Sequence, residues 1–173
     1  MNEYMFILGI DVGIINLALV QVEVLDDSIH RVCACHRVDM TRGCASRETA
    51  DRVSTMVERY RTLFDTSEVV LIERQPLTGL TGVEEVLFYM FRQKCQKVSP
   101  NSMHKFFAIG HLDYEGRKVQ TVARARPWLK DHEGWVRNSE RLHDMADAMC
   151  IILWWWEHNR PKGPNVWEKF RCL

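Results

Sequence analysis

Three places in the sequence put carboxylates where apolar neighbours should discourage them. Asp11 ends the apolar run of LGIDVG, Glu73 ends VVLIE, and Asp144 and Asp147 stand at i and i+3 in LHDMADAMC. On a helix that spacing projects both from nearly one face. An isolated buried carboxylate is costly, so each of these needs a partner or a cation. No Arg or Lys is dedicated to each strand end, and a set of oxygen ligands suits Mg²⁺ or Mn²⁺ over Zn²⁺. Four carboxylates around two divalent ions is an arrangement suited to in-line phosphodiester hydrolysis. Ions about 3.5–4 Å apart activate a water and stabilise the leaving 3′ oxygen. The phosphodiester is itself anionic, so electrostatic clamping must supply much of the rate. Taken singly, Asp11 reads equally as a turn residue and the Asp144/Asp147 pair as a solvated helix face. Glu73, directly continuing Val-Val-Leu-Ile, is harder to place at a surface, and the four together point to a site.

The elements that must position these acids follow from periodicity. Residues 5–12 are almost continuously apolar, as in a strand buried on both faces. Residues 14–25 and 30–38 read as two further strands, with a turn at Asp26-Asp27-Ser28. Residues 46–64 switch to helical spacing through Ala50, Val53, Val57, Tyr60 and Phe64, with Ser46 as N-cap and Glu48 in the first turn. A short strand over 68–73 leads into a loop marked by Pro76, Gly79 and Gly82. Residues 83–95 read as a helix and 96–99 as a strand. Helices follow over 100–109 and 117–131, with Pro127 expected to end or kink the second. The last helix, 139–158, carries a core stripe of Leu142, Met145, Ala146, Met149, Ile152, Leu153 and Trp156. The order βββ-α-β-α-β-α-α-α describes an α/β domain with a mixed central sheet, not a doubly wound one. The domain is expected over 1–158, with a loosely held tail over 159–173 containing Pro161, Gly163 and Pro164.

A chain of 173 residues is one ordinary domain, and 46% hydrophobic with 27% charged residues supports a packed core and excludes wholesale disorder. The late apolar run 149–156 falls far short of the roughly 20 residues that cross a bilayer, so no membrane is expected. The opening MNEYMFILGIDVG lacks a basic n-region and a cleavage site, and reads as a buried strand instead of a signal peptide. The six cysteines are then expected as free thiols in an intracellular, reducing compartment. Cys33, Cys35, His36 and Cys44 raise the possibility of zinc, but strand alternation would put Cys33 and Cys35 on one face and His36 on the other. A formal net charge of zero decides nothing about nucleic acid. Its distribution is more telling: residues 92–130 hold nine Lys/Arg against two acids, enough for a basic face on a neutral protein.

Asp11-Val12-Gly13 near the N-terminus, a strand ending in Glu73 and the D-x-x-D-A of Asp144 to Ala148 together resemble the RuvC-type Holliday-junction resolvases of the RNase H-like superfamily. The short chain is most similar to the poxvirus and iridovirus branch, which implies the host cytoplasm as its compartment. The resemblance spans about residues 5–157. It implies an RNase H-like fold with three antiparallel strands followed by two parallel ones. It also implies two Mg²⁺ ions, with Mn²⁺ as substitute, held by Asp11, Glu73, Asp144 and Asp147. Lys105, followed by Gly110 and then RKVQTVAR, resembles the stretch carrying two DNA-contacting lysines, with Lys118 as the second. Arg117 and Arg74 complete the expected DNA-binding set. His143 directly precedes Asp144, and some relatives use His at one metal position, which leaves the register of that ligand open. Arg74 follows the strand Glu, so the neighbouring base-stacking residue of relatives is not carried over.

Three other readings compete. Actin-like and sugar-kinase ATP-binding proteins also begin with D-x-G, but need two lobes and a second phosphate loop. The chain has room for neither and carries no G-x-x-x-x-G-K-[ST] or G-x-G-x-x-G. A YqgF-like RNA nuclease shares the expected fold and stays open. A non-catalytic DNA-binding module would gain nothing from clustered negative charge. The expected substrate is branched DNA, above all the four-way junction, whose approximate two-fold symmetry suits a C₂ homodimer. The helix over 83–95 is apolar around more of its circumference than one stripe requires, through Val86, Leu87, Tyr89, Met90 and Phe91. The resemblance implies a dimer through that helix, with Val86, Leu87, Met90 and Phe91 at the interface; burial within the monomer is the alternative.

Overall fold

The computed structural model describes residues 4–26, 28–137 and 141–160. Five strands, β1 (Tyr4–Asp11), β2 (Leu17–Leu25), β3 (Ser28–Val38), β4 (Val69–Glu73) and β5 (Cys95–Val98), form one sheet in the order β3-β2-β1-β4-β5. β1, β2 and β3 pair antiparallel, whereas β4 runs parallel to both β1 and β5. The expected mixed sheet is therefore present. β1 lies at its centre, which explains why its sequence is apolar on both faces.

Alternation along the strands separates two cores. Met5 and Ile7 of β1 join Val69 and Leu71 of β4 beneath α4 (Pro100–Phe106), α5 (Tyr114–Leu129), α6 (Glu133–Arg137) and α7 (Leu142–Asn159). Leu8 and Ile10 join Val70 and Ile72 beneath α1 (Thr49–Arg59), α2 (Arg61–Thr66) and α3 (Thr81–Phe91). By the same parity Asp11 and Glu73 belong to the α7 side. Ile10 pairs with Ile72 across the parallel β1–β4 ladder, so the two acids end neighbouring strands at one level.

α7 is buried around most of its circumference. Beyond the expected stripe, Ala148, Cys150, Ile151 and Trp155 are also enclosed, while Leu142 and Leu153 are only partly so. The helix lies close against the sheet at Gly9. A Cβ there would stand 2.5 Å from the Ala148 carbonyl oxygen and 2.7 Å from Ile152 Cγ1. The missing side chain thus sets how closely the helix bearing Asp144 and Asp147 approaches the strand bearing Asp11.

Several local expectations are corrected. The helix expected over 46–64 is two helices that meet at Tyr60, whose φ of −110° and ψ of 23° leave the helical region. Its N-cap is Glu48 and not Ser46; the Ser46 hydroxyl instead accepts from the Glu48 amide, two residues along, forming a local turn. α5 runs through Pro127 to Leu129, because so late a proline interrupts only the final turn. Cys33 does not share a face with Cys35. Val22 pairs with Val32 but Gln21 with Ala34, so a bulge at Cys33 resets the alternation. Val32 and Cys35 then face the α7 core together, where the Cys35 thiol lies 3.2 Å from Met145 Sδ. α6, with its buried Trp135, has no counterpart in the sequence reading. No helix among the described residues is long and apolar enough to cross a membrane. The expected tail, apart from Asn159 and Arg160, and the first residues expected for the last helix lie outside the described residues.

Candidate active site

Asp11, Glu73, Asp144 and Asp147 are brought together at one edge of the sheet. Asp11 and Glu73 come from the ends of β1 and β4, and the other two from the first turns of α7. Asp144 is buried at 6% exposure and the others are half-buried. Burial pushes the Asp11 carboxyl well above its usual range, and the charges of Glu73, Asp147 and Asp144 push it further. Burial also raises Glu73, against opposing hydrogen bonds from Asp11 and Gln75. Asp147 is raised to about 7, chiefly by burial and then by Glu73 and Asp144, with the Thr121 hydroxyl acting the other way. Mutual repulsion among enclosed carboxylates is what a bound cation would relieve.

The four differ in what already holds them. Gln75 Nε2 donates to Glu73 Oε2 at 2.9 Å. Arg141 grips Asp144 with both arms of its guanidinium, Nε to Oδ2 at 2.8 Å and Nη2 to Oδ1 at 3.1 Å. His143 Nε2 stands 3.2 Å from Asp144 Oδ1, and burial keeps its imidazole below the usual range despite that carboxylate. Among the described residues no three acidic, histidine or cysteine side chains close on one point as a finished metal cage. The donor chemistry nevertheless fits a hard divalent cation: oxygens only, raised in energy by one another, with Asp144 oriented by an arginine.

Lys118, on α5, is close enough to the acids to act on Asp147. It lowers the cost of ionising Asp147, and its Nζ lies 4.0 Å from the Tyr114 ring centroid. Lys105 and Arg117 sit apart from the acids. They line a cavity of about 520 Å³ with Asn101, His104, Ala108, Gly110 and His111. Arg117 Nη1 donates to the Leu112 carbonyl at 2.6 Å, fixing one end of its guanidinium. Arg74 is exposed directly beyond Glu73, with its amide bound to the Val98 carbonyl.

The expected interface residues divide. Leu87 is fully buried in the monomer and cannot meet a partner. Phe91 stacks on Phe64 with centroids 4.7 Å apart, and Val86 packs against the same core. The outward apolar surface of α3 is Tyr89, at 76% exposure, and Met90, at 41%. The surplus apolar circumference thus has two uses, an inner stripe for the α1–α3 core and an outer one facing solvent.

Sequence reasoning did not single out Arg141, Gln75 or Glu84. Arg141 was legible, because it stands three residues before Asp144 at helical spacing. Glu84 was not, since an acid in the first turn of a helix normally faces solvent and the dipole explains it.

A mixed sheet in this order, with helices on both faces and acids at the ends of its first and fourth strands, is the RNase H-like fold. The chain belongs to the Poxvirus A22 protein family, which matches residues 5–158. Among solved structures, it is similar to the Fowlpox virus resolvase in complex with substrate Holliday junction DNA. That match has 18% identity and a TM-score of 0.67, and covers 89% of this chain and 98% of the other. The yeast mitochondrial Holliday junction resolvase matches at 21% identity and a TM-score of 0.64, over 87% and 78% of the two chains. Thermus thermophilus RuvC in complex with a Holliday junction substrate matches at 20% identity and a TM-score of 0.55, over 87% and 92%. No curated protein sequence is matched.

Proposed function

We propose that this chain is a Holliday-junction resolvase, an endonuclease that hydrolyses paired phosphodiesters of four-way DNA junctions with divalent metal. The observation that carries the reading is the gathering of Asp11, Glu73, Asp144 and Asp147, from three separated segments, where each raises the cost of ionising another. Asp11, Glu73, Asp144 and Asp147 would hold two Mg²⁺ ions, or Mn²⁺ in their place. When bound, the metal supplies Lewis-acid activation of a water and charge stabilisation of the leaving oxygen. Asp144 is kept in its orientation by Arg141, and Lys118 brings a positive charge to the lip of the site, where it neutralises an arriving phosphate. Lys105 and Arg117 take a phosphate further along the same strand, with Arg74 reaching the backbone beyond Glu73. A homodimer, with Tyr89 and Met90 of α3 facing the partner, places two sites on one junction. The compartment is the host cytoplasm, where Cys33, Cys35, Cys44, Cys95 and Cys150 remain thiols.

The test is cleavage of a synthetic four-way junction, a linear duplex and an RNA duplex, each with Mg²⁺, with Mn²⁺ and with chelator. Metal-dependent, paired nicking of the junction in preference to the others is expected. The Asp144→Asn variant should bind the junction and fail to cut it. Preferential cleavage of RNA would transfer the protein to the RNA nucleases of this fold, and cleavage undiminished by chelator would remove the metal.

A further inference from the structure

Glu73 is held by the loop that follows its own strand. β4 ends at Glu73, and the chain then leaves the sheet. Two contacts fix its course. The Arg74 amide donates to the Val98 carbonyl at 2.8 Å, extending the ladder to β5 by one residue. The Gln75 amide donates to Glu84 Oε2 at 2.7 Å, in the first turn of α3. Gln75 then turns its side chain back, and Nε2 meets Glu73 Oε2 at 2.9 Å.

Glu84 is itself unusual. It is 4% exposed, and its other oxygen, Oε1, lies 3.0 Å from Lys97 Nζ on β5. Lys97 is further held by Glu85 at 2.6 Å and by the face of Phe88, 4.6 Å from its ring centroid. A buried ion pair is weak evidence of stabilisation, since apolar residues of similar volume often serve as well. What an apolar residue at position 84 could not do is accept the Gln75 amide.

Building on the metal-site reading above, we propose that Glu84 and Gln75 are positioning residues for Glu73. Glu84 pins the backbone of Gln75, and the side-chain amide of Gln75 fixes the Glu73 carboxylate through Oε2, in the orientation in which it would hold a metal with Asp11. Neither residue touches metal or DNA. Partners of this kind typically account for 10–100-fold in metal affinity.

The measurement is calorimetric titration of the full chain with Mn²⁺, without DNA, alongside thermal melts. Four proteins are compared: wild type, Gln75→Ala, Glu84→Leu and the conservative Glu84→Gln, which keeps an acceptor for the Gln75 amide. Gln75→Ala and Glu84→Leu are each expected to weaken Mn²⁺ binding about tenfold or more, and Glu84→Gln to stay near wild type. The double variant Gln75→Ala/Glu84→Leu should be no weaker than the worse single, because both act through one contact. A lowered melting temperature with unchanged Mn²⁺ affinity would make Glu84 merely structural and overturn the proposal. If Glu84→Leu does not fold, Gln75→Ala decides alone, and an unchanged affinity there also overturns it. Failure of the wild type to bind Mn²⁺ would be a different outcome, refuting the metal site and with it this inference.

Discussion

Asp147→Asn should make the metal-free protein more stable, by an amount that grows as pH rises from about 4 to about 7. The Asp147 carboxyl is held near pH 7, where its ordinary value is 3.8. Its stabilising effect is therefore complete below about pH 4 and is lost as pH rises through about 7. A displacement of roughly three pH units corresponds to about 4 kcal/mol at most. Burial is the chief cause and the remainder is shared with Glu73 and Asp144, so about half, ~2 kcal/mol, is a realistic share for one residue. For a domain of this size that is a rise of roughly 4–8 °C in melting temperature. Asparagine keeps the shape and never ionises. Melts followed by circular dichroism in chelator should nearly coincide for the two proteins at about pH 4 and separate progressively up to pH 8, with the variant higher. Adding Mg²⁺ at pH 8 should then raise the wild type and leave the variant almost unmoved. Equal stabilisation at both pH values would show that packing, and not charge, is responsible. A variant that melts at or below wild type at pH 8 would refute the crowding of the four acids altogether.

Other perturbations probe the remaining parts. Lys105→Ala and Lys118→Ala should each weaken junction binding and flatten its dependence on salt, by a log–log slope of about 0.9 for one lost phosphate contact on duplex DNA; titrations at several salt concentrations measure this, and an unchanged slope would return that lysine to plain surface. Met90→Asp should convert a dimer to a species of 20.3 kDa by light scattering while metal binding persists, since its side chain is 41% exposed and lies outside the core; a wild-type protein already at that mass would refute the α3 interface. Gly9→Ala should cost about 1–3 kcal/mol by overpacking, and should also weaken Mn²⁺ binding, because the added carbon meets the Ala148 carbonyl at 2.5 Å and must push α7 away; a destabilised variant with intact metal affinity would separate helix packing from the site.

The acids were legible because they break a rule. Asp11 and Glu73 each follow an apolar strand in which the next residue should have been a turn or more core, and their shared parity with Ile7 and Leu71 follows from period two alone. Strand order was readable from chain order and the resemblance together. What periodicity could not supply were contacts between segments far apart in sequence. Glu84 looks like an ordinary first-turn acid until Gln75 and Lys97 are seen on either side of it. The bulge at Cys33 was hidden because an inserted residue leaves no mark in the local alternation, only in its register against β2. Leu87 was misplaced for a related reason: an apolar helix with two faces does not declare which one the monomer keeps.

α7 closes the site from the far end of the chain. Asp11 and Glu73 are in place early, on β1 and β4, whereas Asp144 and Asp147 arrive with the last described helix. Domains are made from the N-terminus at about 5–20 residues per second. A growing chain therefore spends several seconds with half of its carboxylates and none of the helix that completes them. Until α7 has left the ribosome and settled onto Gly9, the proposed metal site is not assembled. On the proposed reading, nuclease chemistry would be timed by synthesis itself, arising only once nearly all of the described chain is present to control where it cuts.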